Sequence, residues 1–201
     1  QRDNRRRLLH GHVAANFPLY GDTVIPQPEV LNCFAYTCAF SVCAALGGAR
    51  ATSLDLSRKY LDWGRRNFEL NGLDPAAHDF IYGDAFDWLK RLAKKSRSYD
   101  VIILDPPTFS RSPGRGDFRA EADYGRLVSL ALPLLRPQGV LLASASPARL
   151  SAVSFIEQVR AAVGEFSRNA HPDEWTQLMT RLRDCDDPGA ACLEMMIERR
   201  L

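Results

Sequence analysis

The stretch Ile102–Phe109, IILDPPTF, joins an apolar run to an acid, two prolines and an aromatic ring. Each proline lacks the N–H that a central strand donates to its neighbour, so we expect a strand to end at Asp105. The two prolines form a stiff turn that holds the Asp105 carboxylate and the Phe109 ring just beyond that strand. Because ligands bind at the carboxyl edge of open α/β sheets, the stretch predicts a ligand site.

Two further aspartates also follow predicted strands. Asp55 ends the run ATSLD, and Asp84 comes directly after HDFIYG. A carboxylate after the second strand can accept both ribose hydroxyls of a nucleoside, and one after the third can accept an adenine amine. Asp84 can instead be only a helix N-cap, and Asp55 only a turn residue. Together with Asp105, they favour a nucleoside-bearing cofactor.

The loop after the first predicted strand decides between two classes of such cofactor. A nicotinamide dehydrogenase needs the pattern G-x-G-x-x-G there, because glycines let the backbone approach a pyrophosphate closely. Residues 34–40 read FAYTCAF and contain no glycine. S-adenosylmethionine carries no phosphate and is compatible with such a loop, so the sequence favours it over a dinucleotide.

These residues must be positioned by strand-like segments that alternate with helical ones, the pattern of a mostly parallel sheet covered on both faces. The predicted fold class is α/β, a Rossmann-like, doubly wound, mostly parallel sheet of seven strands. The last strand, near 192–198, should be inserted antiparallel, because CLEMMIER alternates in hydrophobicity after a long irregular connection. Six strands are located in the sequence, at 30–34, 51–55, 78–83, 99–104, 139–144 and 191–199. Predicted helices are 38–47, one capped by Ser57, one from Asp84, 120–135, 151–164 and 173–183, with a loop at 110–118.

Composition narrows the class of partner and the compartment. The 201 residues carry a formal charge of +2, but Arg and Lys cluster at the start, at 91–97 and at 111–119, which favours a nucleic-acid partner. The five cysteines form no C-x-x-C pair, which argues against a disulfide framework and a zinc site, so we expect no metal. No apolar run approaches ~18 residues and no signal-peptide pattern opens the chain, so we expect a cytoplasmic protein away from membranes.

Four segments carry a resemblance to a known family: VLNCFAYTCAFSVCAALGGA, ATSLDLSRKYLDWGRRNFELNGLD, FIYGDAFDWL and YDVIILDPPTFSRS. In this order they resemble the motifs of bacterial class I S-adenosylmethionine-dependent methyltransferases that modify bases of large-subunit (23S) ribosomal RNA. The opening QRDNRRR resembles the segment that joins that family's N-terminal RNA-binding part to its catalytic domain. We therefore expect a basic helical or linker segment at 1–29, after a further upstream domain, and a methyltransferase domain at 30–201. The implied cofactor is S-adenosyl-L-methionine, and the implied partner is 23S ribosomal RNA.

The resemblance also implies two sets of site residues. The cofactor set would line the methionine end, the ribose and the adenine in that order: Phe34, Tyr36 and Thr37, then Asp55, Leu56 and Ser57, then Asp84 and Ala85. The catalytic set would face the target base: Asp105, Pro106, Pro107 and Phe109. Family members commonly carry Thr-Gly-Gly where this chain has Thr37-Cys38-Ala39. An added Cβ at a point of close approach would weaken cofactor binding, which leaves open a catalytically inactive RNA-binding relative.

The target atom follows from how a base is attacked. Methylating a carbon such as cytosine C5 requires a cysteine thiolate that first adds to the ring. Related enzymes carry that cysteine at the end of the fifth strand, where residues 142–147 of this chain read LASASP. We therefore predict direct transfer to a base nitrogen, with guanine N7 favoured because its lone pair needs no covalent help.

Two other acceptors stay open at this point. Adenine N6 is one, although adenine methylases usually carry the aromatic residue directly after the two prolines, where this chain has Thr108. A small molecule is the other, because the modest net charge does not require RNA.

Overall fold

The computed structural model describes residues 1–14, 17–20, 27–112, 116–146, 150–170, 175–184 and 191–199. The α-helices in these ranges are α1 (Arg2–His10), α2 (Ala39–Leu46), α3 (Arg58–Leu70), α4 (Ala85–Lys94), α5 (Ala120–Ala131) and α6 (Ala152–Ala170). The strands are β1 (His12–Ala14), β2 (Phe17–Pro18), β3 (Glu29–Cys33), β4 (Arg50–Asp55), β5 (Asp79–Tyr82), β6 (Tyr99–Leu104), β7 (Phe109–Ser112), β8 (Gly116–Arg119), β9 (Leu135–Ala145), β10 (Trp175–Asp184) and β11 (Ala191–Arg199). None of the helices in these ranges combines the length and apolar character that crossing a membrane requires.

Seven strands form the central sheet, in the order β10-β11-β9-β6-β3-β4-β5. β3 pairs parallel with β4 and with β6, and the outer pairs β4–β5 and β6–β9 are also parallel. β11 lies between β9 and β10 and is antiparallel to both. The predicted fold class and the antiparallel insertion of the last strand are therefore confirmed. Strand order reverses between β3 and β6, which opens a crevice at their carboxyl ends.

The two faces of the sheet carry different helices because residues alternate along each buried strand. On β6, Ile102 and Leu104 pack into a core covered by α4, α5 and α6. Val101 and Ile103 point to the opposite face, where they pack with Leu8 of α1 and with α2. A further cluster joins α2 and α3 over β4. Burial on both faces explains why the strands read as near-continuous apolar runs.

Helices α3 and α4 each begin after a capping residue whose side chain accepts hydrogen bonds from N–H groups of the first turn. The Ser57 hydroxyl accepts a hydrogen bond from the Tyr60 N–H at 3.3 Å. The Asp84 carboxylate accepts from the N–H groups of Phe86 at 3.0 Å and Asp87 at 3.3 Å. Both starts agree with the sequence, and they fix each helix close to the strand end that precedes it.

The predicted helix at 173–183 is wrong where the structure describes it. Residues Trp175–Asp184 form β10, which pairs with β11 from Trp175 opposite Arg199 to Asp184 opposite Ala191. The segment is rich in Gln, Leu, Met and Arg, which favour helices locally. Its pairing partner lies on a strand further along the chain, so tertiary contacts override that local preference.

The predicted loop at 110–118 is also wrong, because most of it forms a β-hairpin. Phe109 of β7 lies opposite Arg119 of β8, and Ser112 lies opposite Gly116. The glycine and arginine content suggested a loop, but Phe118 is 2% exposed and anchors β8 in the core. Pro147 of the LASASP stretch and Cys185 lie outside the described residues.

Candidate active site

Four strand ends meet at one level of the sheet edge. Cys33 of β3 lies opposite Leu54 of β4 and Leu104 of β6. Leu104 in turn lies opposite Ala143 of β9. Because the strands are parallel, the next residue on each emerges at the same carboxyl edge, beside the crevice at the reversal of strand order. These residues are Phe34, Asp55, Asp105 and Ser144.

The loop Phe34–Cys38 joins β3 to α2 through three residues with positive φ. Phe34, Tyr36 and Cys38 have φ values of 59°, 49° and 63°. This left-handed region costs an L-residue about 1–2 kcal/mol, so surrounding contacts must hold it. One such contact is the Tyr36 N–H, which donates to Asp55 Oδ2 at 2.8 Å. The strained loop therefore depends on the acid at the next strand end.

The loop presents its other predicted residues at the start of α2. Tyr36 is 53% exposed, and its ring meets the edge of the Tyr60 ring with centroids 4.4 Å apart. Thr37 is half-buried, and its carbonyl accepts a hydrogen bond from Asn67 Nδ2 at 2.9 Å. Ala39, the first residue of α2, is exposed. A helix N-terminus with polar neighbours suits the charged methionine end of the expected cofactor.

Asp55 offers the carboxylate acceptor that ribose hydroxyls require, and backbone N–H groups already donate to both of its oxygens. Its Oδ1 accepts from the Ser57 N–H at 2.8 Å, as Oδ2 does from Tyr36. Burial raises the pKa of this carboxyl, although the N–H groups of Tyr36, Ser57 and Leu56 act against that shift. Each carboxylate oxygen offers two lone pairs, so both oxygens can also accept a hydroxyl. Donation by two ribose hydroxyls would lower the cost of burying the charge.

The other residues predicted to bind the cofactor lie beside Asp55 or at the next strand end, and two of them, Ser57 and Asp84, already accept hydrogen bonds as helix caps. Asp84 is the N-cap of α4, so any contact with adenine is an additional role for its carboxylate. The Ala85 side chain is buried, which leaves its backbone to meet a ligand. Leu56 and the helix cap Ser57 are half-buried next to Asp55. Among the described residues, no cluster of three or more His, Cys, Asp or Glu is arranged to hold a metal ion.

The Cβ that Cys38 adds relative to the family pattern does not project into the open crevice. Cys38 is fully buried, and it packs with α2 and α3 residues rather than facing solvent. The side chain fits because α3 carries Gly64 opposite it, where an added methyl would lie 3.0 Å from the Cys38 Cβ and would overlap its sulfur. Of the two residues that depart from the family pattern, Cys38 is thus matched by a glycine on the neighbouring helix, whereas Ala39 is exposed.

This packing predicts that Gly64→Ala is destabilising only while Cys38 is present. The added methyl overlaps the buried sulfur, and overpacking of this kind costs about 1–3 kcal/mol. In the double variant Cys38→Gly/Gly64→Ala, the methyl occupies the space that the sulfur leaves. Denaturant unfolding of the four proteins of this cycle measures the coupling. Strictly additive changes in the free energy of unfolding would contradict the packing described here.

The predicted substrate residues lie on the turn after β6. Pro106 is buried and Pro107 is exposed, and Phe109 is 45% exposed at the start of the hairpin. Beneath them the buried Tyr124 hydroxyl lies 3.1 Å from the Leu104 carbonyl oxygen and 2.8 Å from that of Ser144. Tyr124 thus ties the ends of β6 and β9 together under Asp105. The turn therefore holds the Phe109 ring and the Asp105 carboxylate on a rigid support.

Helix α1 and the residue before it bring two amides to this site that were not among the predicted site residues. Gln1 Nε2 donates to Asp105 Oδ1 at 3.1 Å and to Ser144 Oγ at 2.5 Å. Asn4 is 1% exposed and donates to Gln1 Oε1 at 3.1 Å. The available signal was an uncharged amide at Asn4, four residues before the buried Leu8, in an otherwise charged helix. That spacing places Asn4 on the inward face.

The hairpin extends the site with an aromatic and basic face. Phe118 contacts Phe34 of the Phe34–Cys38 loop and Phe86 of α4, with ring centroids 5.9 Å apart in each case. Because side chains alternate along a strand, the opposite face of the hairpin is turned outward. Its exposed residues are Phe109, Arg111, Asp117 and Arg119.

The described cysteines with assigned burial do not provide a nucleophile. Cys33 is fully buried, and burial raises its pKa above the ordinary value. Burial raises the pKa of Cys38 to about 11 and also raises that of Cys43. A thiolate is the reactive form of cysteine, so burial disfavours that form in all three.

Comparison with known proteins identifies relatives over most of the chain. The "Ribosomal RNA large subunit methyltransferase K/L" of Psychrobacter sp. (strain PRwf-1) is 50% identical over 117 residues, 56% of this chain and 14% of that protein. The "Ribosomal RNA large subunit methyltransferase K" of Neisseria meningitidis serogroup B is 37% identical over 147 residues, 72% of this chain and 41% of that protein. The chain thus spans less than half the length of these curated relatives.

A solved structure is similar over nearly the whole chain. The protein SMU.776, crystallised in complex with SAH, superposes with a TM-score of 0.77 at 30% identity, covering 98% of this chain and 49% of that one. The sequence profile of S-adenosylmethionine-dependent methyltransferases matches residues 23–177. The match agrees with the crevice and the Asp55 carboxylate described above. The chain belongs to the family of S-adenosylmethionine-dependent methyltransferases.

Proposed function

We propose that this chain methylates a base nitrogen of large-subunit ribosomal RNA, with guanine N7 as the favoured atom. The proposal rests on the strand register, which brings Phe34, Asp55 and Asp105 to the same level of the sheet edge. In this arrangement the Asp55 carboxylate, proposed to bind the cofactor, lies beside the turn that carries Asp105 and Phe109. The relatives that carry ribosomal RNA methyltransferase names support the choice of substrate.

The residues divide into a cofactor side and a base side. S-adenosylmethionine, when bound, supplies an electrophilic methyl group on a sulfonium. Asp55 accepts the ribose hydroxyls, with Leu56 and Ser57 beside it, and the Asp84–Ala85 segment meets the adenine. Phe34, Tyr36 and Thr37 line the methionine end.

On the base side, Asp105 and the Pro106–Pro107 turn orient the nucleotide, and Phe109 stacks on its ring. The target atom has to lie in line with the transferred methyl in a site that excludes water. An exposed aromatic beside a rigid turn suits a nucleotide that is splayed out of folded RNA.

The hairpin supports RNA rather than a small molecule as the substrate. Phe109, Arg111 and Arg119 are exposed on the hairpin that follows the Asp105 turn. Arginines pair with phosphates and aromatic rings stack on bases, which together recognise a single strand. Salt-dependent binding to ribosomal RNA would support this substrate class, and salt-independent activity on a free nucleoside would favour the small-molecule alternative.

Direct transfer to nitrogen is favoured over the covalent route to carbon. Cys33, Cys38 and Cys43 are buried or half-buried with raised pKa values, and β9 carries no cysteine. Guanine N7 offers a lone pair without deprotonation. Adenine N6 remains the second candidate, because an acid and a proline carbonyl can accept the protons of its amine. Thr108 between the prolines and Phe109 argues against it.

A variant without cysteine is expected to retain methyl transfer. The covalent route requires a thiolate near the transferred methyl, whereas attack by a ring nitrogen requires none. The measurement is transfer of labelled methyl to protein-free 23S ribosomal RNA, followed by mass mapping of the modified nucleoside. A protein–RNA adduct trapped on a 5-fluorocytosine substrate would refute direct transfer. Intact binding of RNA without binding of S-adenosylmethionine would instead identify an inactive relative.

The organisation of the chain follows the same proposal. We assign residues 30–201 to the methyltransferase domain and residues 1–29 to the basic segment that precedes it in the sequence. Substrate RNA of this kind is made and assembled in the bacterial cytoplasm, which is the compartment we assign.

A further inference from the structure

A chain of side-chain hydrogen bonds runs from the basic helix α1 to Asp105. Arg7 Nη1 donates to Asn4 Oδ1. Asn4 Nδ2 donates to Gln1 Oε1 at 3.1 Å, and Gln1 Nε2 reaches both Asp105 Oδ1 and Ser144 Oγ. Gln1 occupies the N-cap position of α1, yet its side chain makes no capping bond there. Its amide is directed at the site instead of at its own helix.

The donors and acceptors of these groups allow only one direction for this series of hydrogen bonds, from Arg7 to Asp105. A guanidinium has donors and no acceptor, so the Asn4 atom that faces Arg7 must be the amide oxygen. The Asn4 NH2 group then points at Gln1, which must present its own oxygen to it. This leaves both Gln1 N–H groups for Asp105 and Ser144. The arginine therefore decides the orientation of two amides between itself and the carboxylate.

Burial gives this orientation its strength. Asn4 is 1% exposed and Ser144 is fully buried, while Gln1 and Asp105 are half-buried, so water has little access to the two buried groups. Buried donors and acceptors that lose a partner carry the full penalty of their desolvation. If the side-chain amide of Asn4 or Gln1 were flipped, it would place two oxygens or two NH2 groups against each other.

We propose that Gln1 is a positioning residue, held by Asn4 and Arg7, that fixes the Asp105 carboxylate for the target base. The inference rests on the proposed function, because it assumes that Asp105 faces the substrate. Gln1 itself does not contact the base. It holds Oδ1 of Asp105 and thereby fixes the plane in which the carboxylate meets the N–H groups of a nucleotide. The basic helix thus contributes to turnover in addition to any contact with phosphates.

Two isosteric variants test this role. Gln1→Met keeps the shape of the side chain and removes the donor. Asn4→Asp keeps the acceptor for Arg7 but forces Gln1 to turn its NH2 group away from Asp105. We expect kcat on protein-free 23S ribosomal RNA to fall about 10- to 100-fold in both, as for a lost hydrogen bond to a charged group. The RNA KM and the affinity for S-adenosylhomocysteine should be unchanged, which a general loss of structure would not allow.

His10→Gln, on the exposed part of the same helix, is the matched control and should keep wild-type kcat. A second readout is independent of activity: the Gln1 side-chain NH2 protons should be protected from exchange in NMR spectra, and Asn4→Asp should abolish that protection. Unchanged kcat in both variants, or a Gln1 amide that exchanges like free glutamine, would overturn the inference. Wild-type protein that transfers no methyl to RNA would contradict the proposed function alone, and the NMR result would still decide whether Gln1 is held as proposed.

Discussion

Asp105→Ala is expected to lower methyl transfer to ribosomal RNA by at least about 100-fold, because a misplaced reactant loses this much even from a shift of about 1 Å. Asp105 follows β6 on the proposed substrate side of the crevice, where the Gln1 amide and the Tyr124 hydroxyl fix its surroundings. The carboxylate that holds the Phe34–Cys38 loop, which is proposed to bind the cofactor, is that of Asp55 on a different strand. The affinity for S-adenosylhomocysteine, measured by titration calorimetry, should therefore stay near the wild-type value.

Asp62→Ala is the matched control for this variant. Asp62 is a well-exposed acid on α3 that pairs with Arg65 at 2.8 Å, so its loss should change neither turnover nor binding. Thermal unfolding of both variants verifies that they are folded. Parallel losses of turnover and cofactor affinity in Asp105→Ala would assign Asp105 to the cofactor side and contradict the proposed division of the site.

Asp55→Ala is expected to remove about 2–4 kcal/mol of cofactor binding, or about 30- to 1000-fold in affinity. Two effects add in the same direction. The ribose hydroxyls would lose a charged acceptor, and the Tyr36 N–H would lose the oxygen that holds the strained loop. The Ser57 N–H would lose its acceptor as well. Titration calorimetry with S-adenosylhomocysteine measures the loss directly.

Asp79→Ala is the control for Asp55→Ala, because it also removes a carboxylate from the end of a strand. Asp79 lies at the opposite end of β5, where it pairs with Arg50 at 3.4 Å and Arg97 at 3.5 Å near the protein surface. Its removal should leave cofactor affinity unchanged and should alter stability by at most about 1 kcal/mol. An unchanged affinity in Asp55→Ala would show that the ribose assignment is wrong.

Features that depend on near neighbours along the chain could be predicted without a structure. The Pro106–Pro107 pair stops β6, so Asp105 had to follow a strand, and Ser57 and Asp84 cap the helices that come after them. Alternation of strands and helices then required a parallel sheet, whose carboxyl ends share one edge. The expected site therefore follows from local rules together with the geometry of the fold.

Features that depend on distant partners required the three-dimensional arrangement. Trp175–Asp184 becomes a strand because β11 pairs with it, and residues 109–119 form a hairpin whose Phe118 packs against Phe34 and Phe86. The space for Cys38 comes from Gly64 on another helix, and the amide on Asp105 comes from Gln1, 104 positions away. Such contacts form only after the sheet brings the segments together, so no pattern within a single segment contains them.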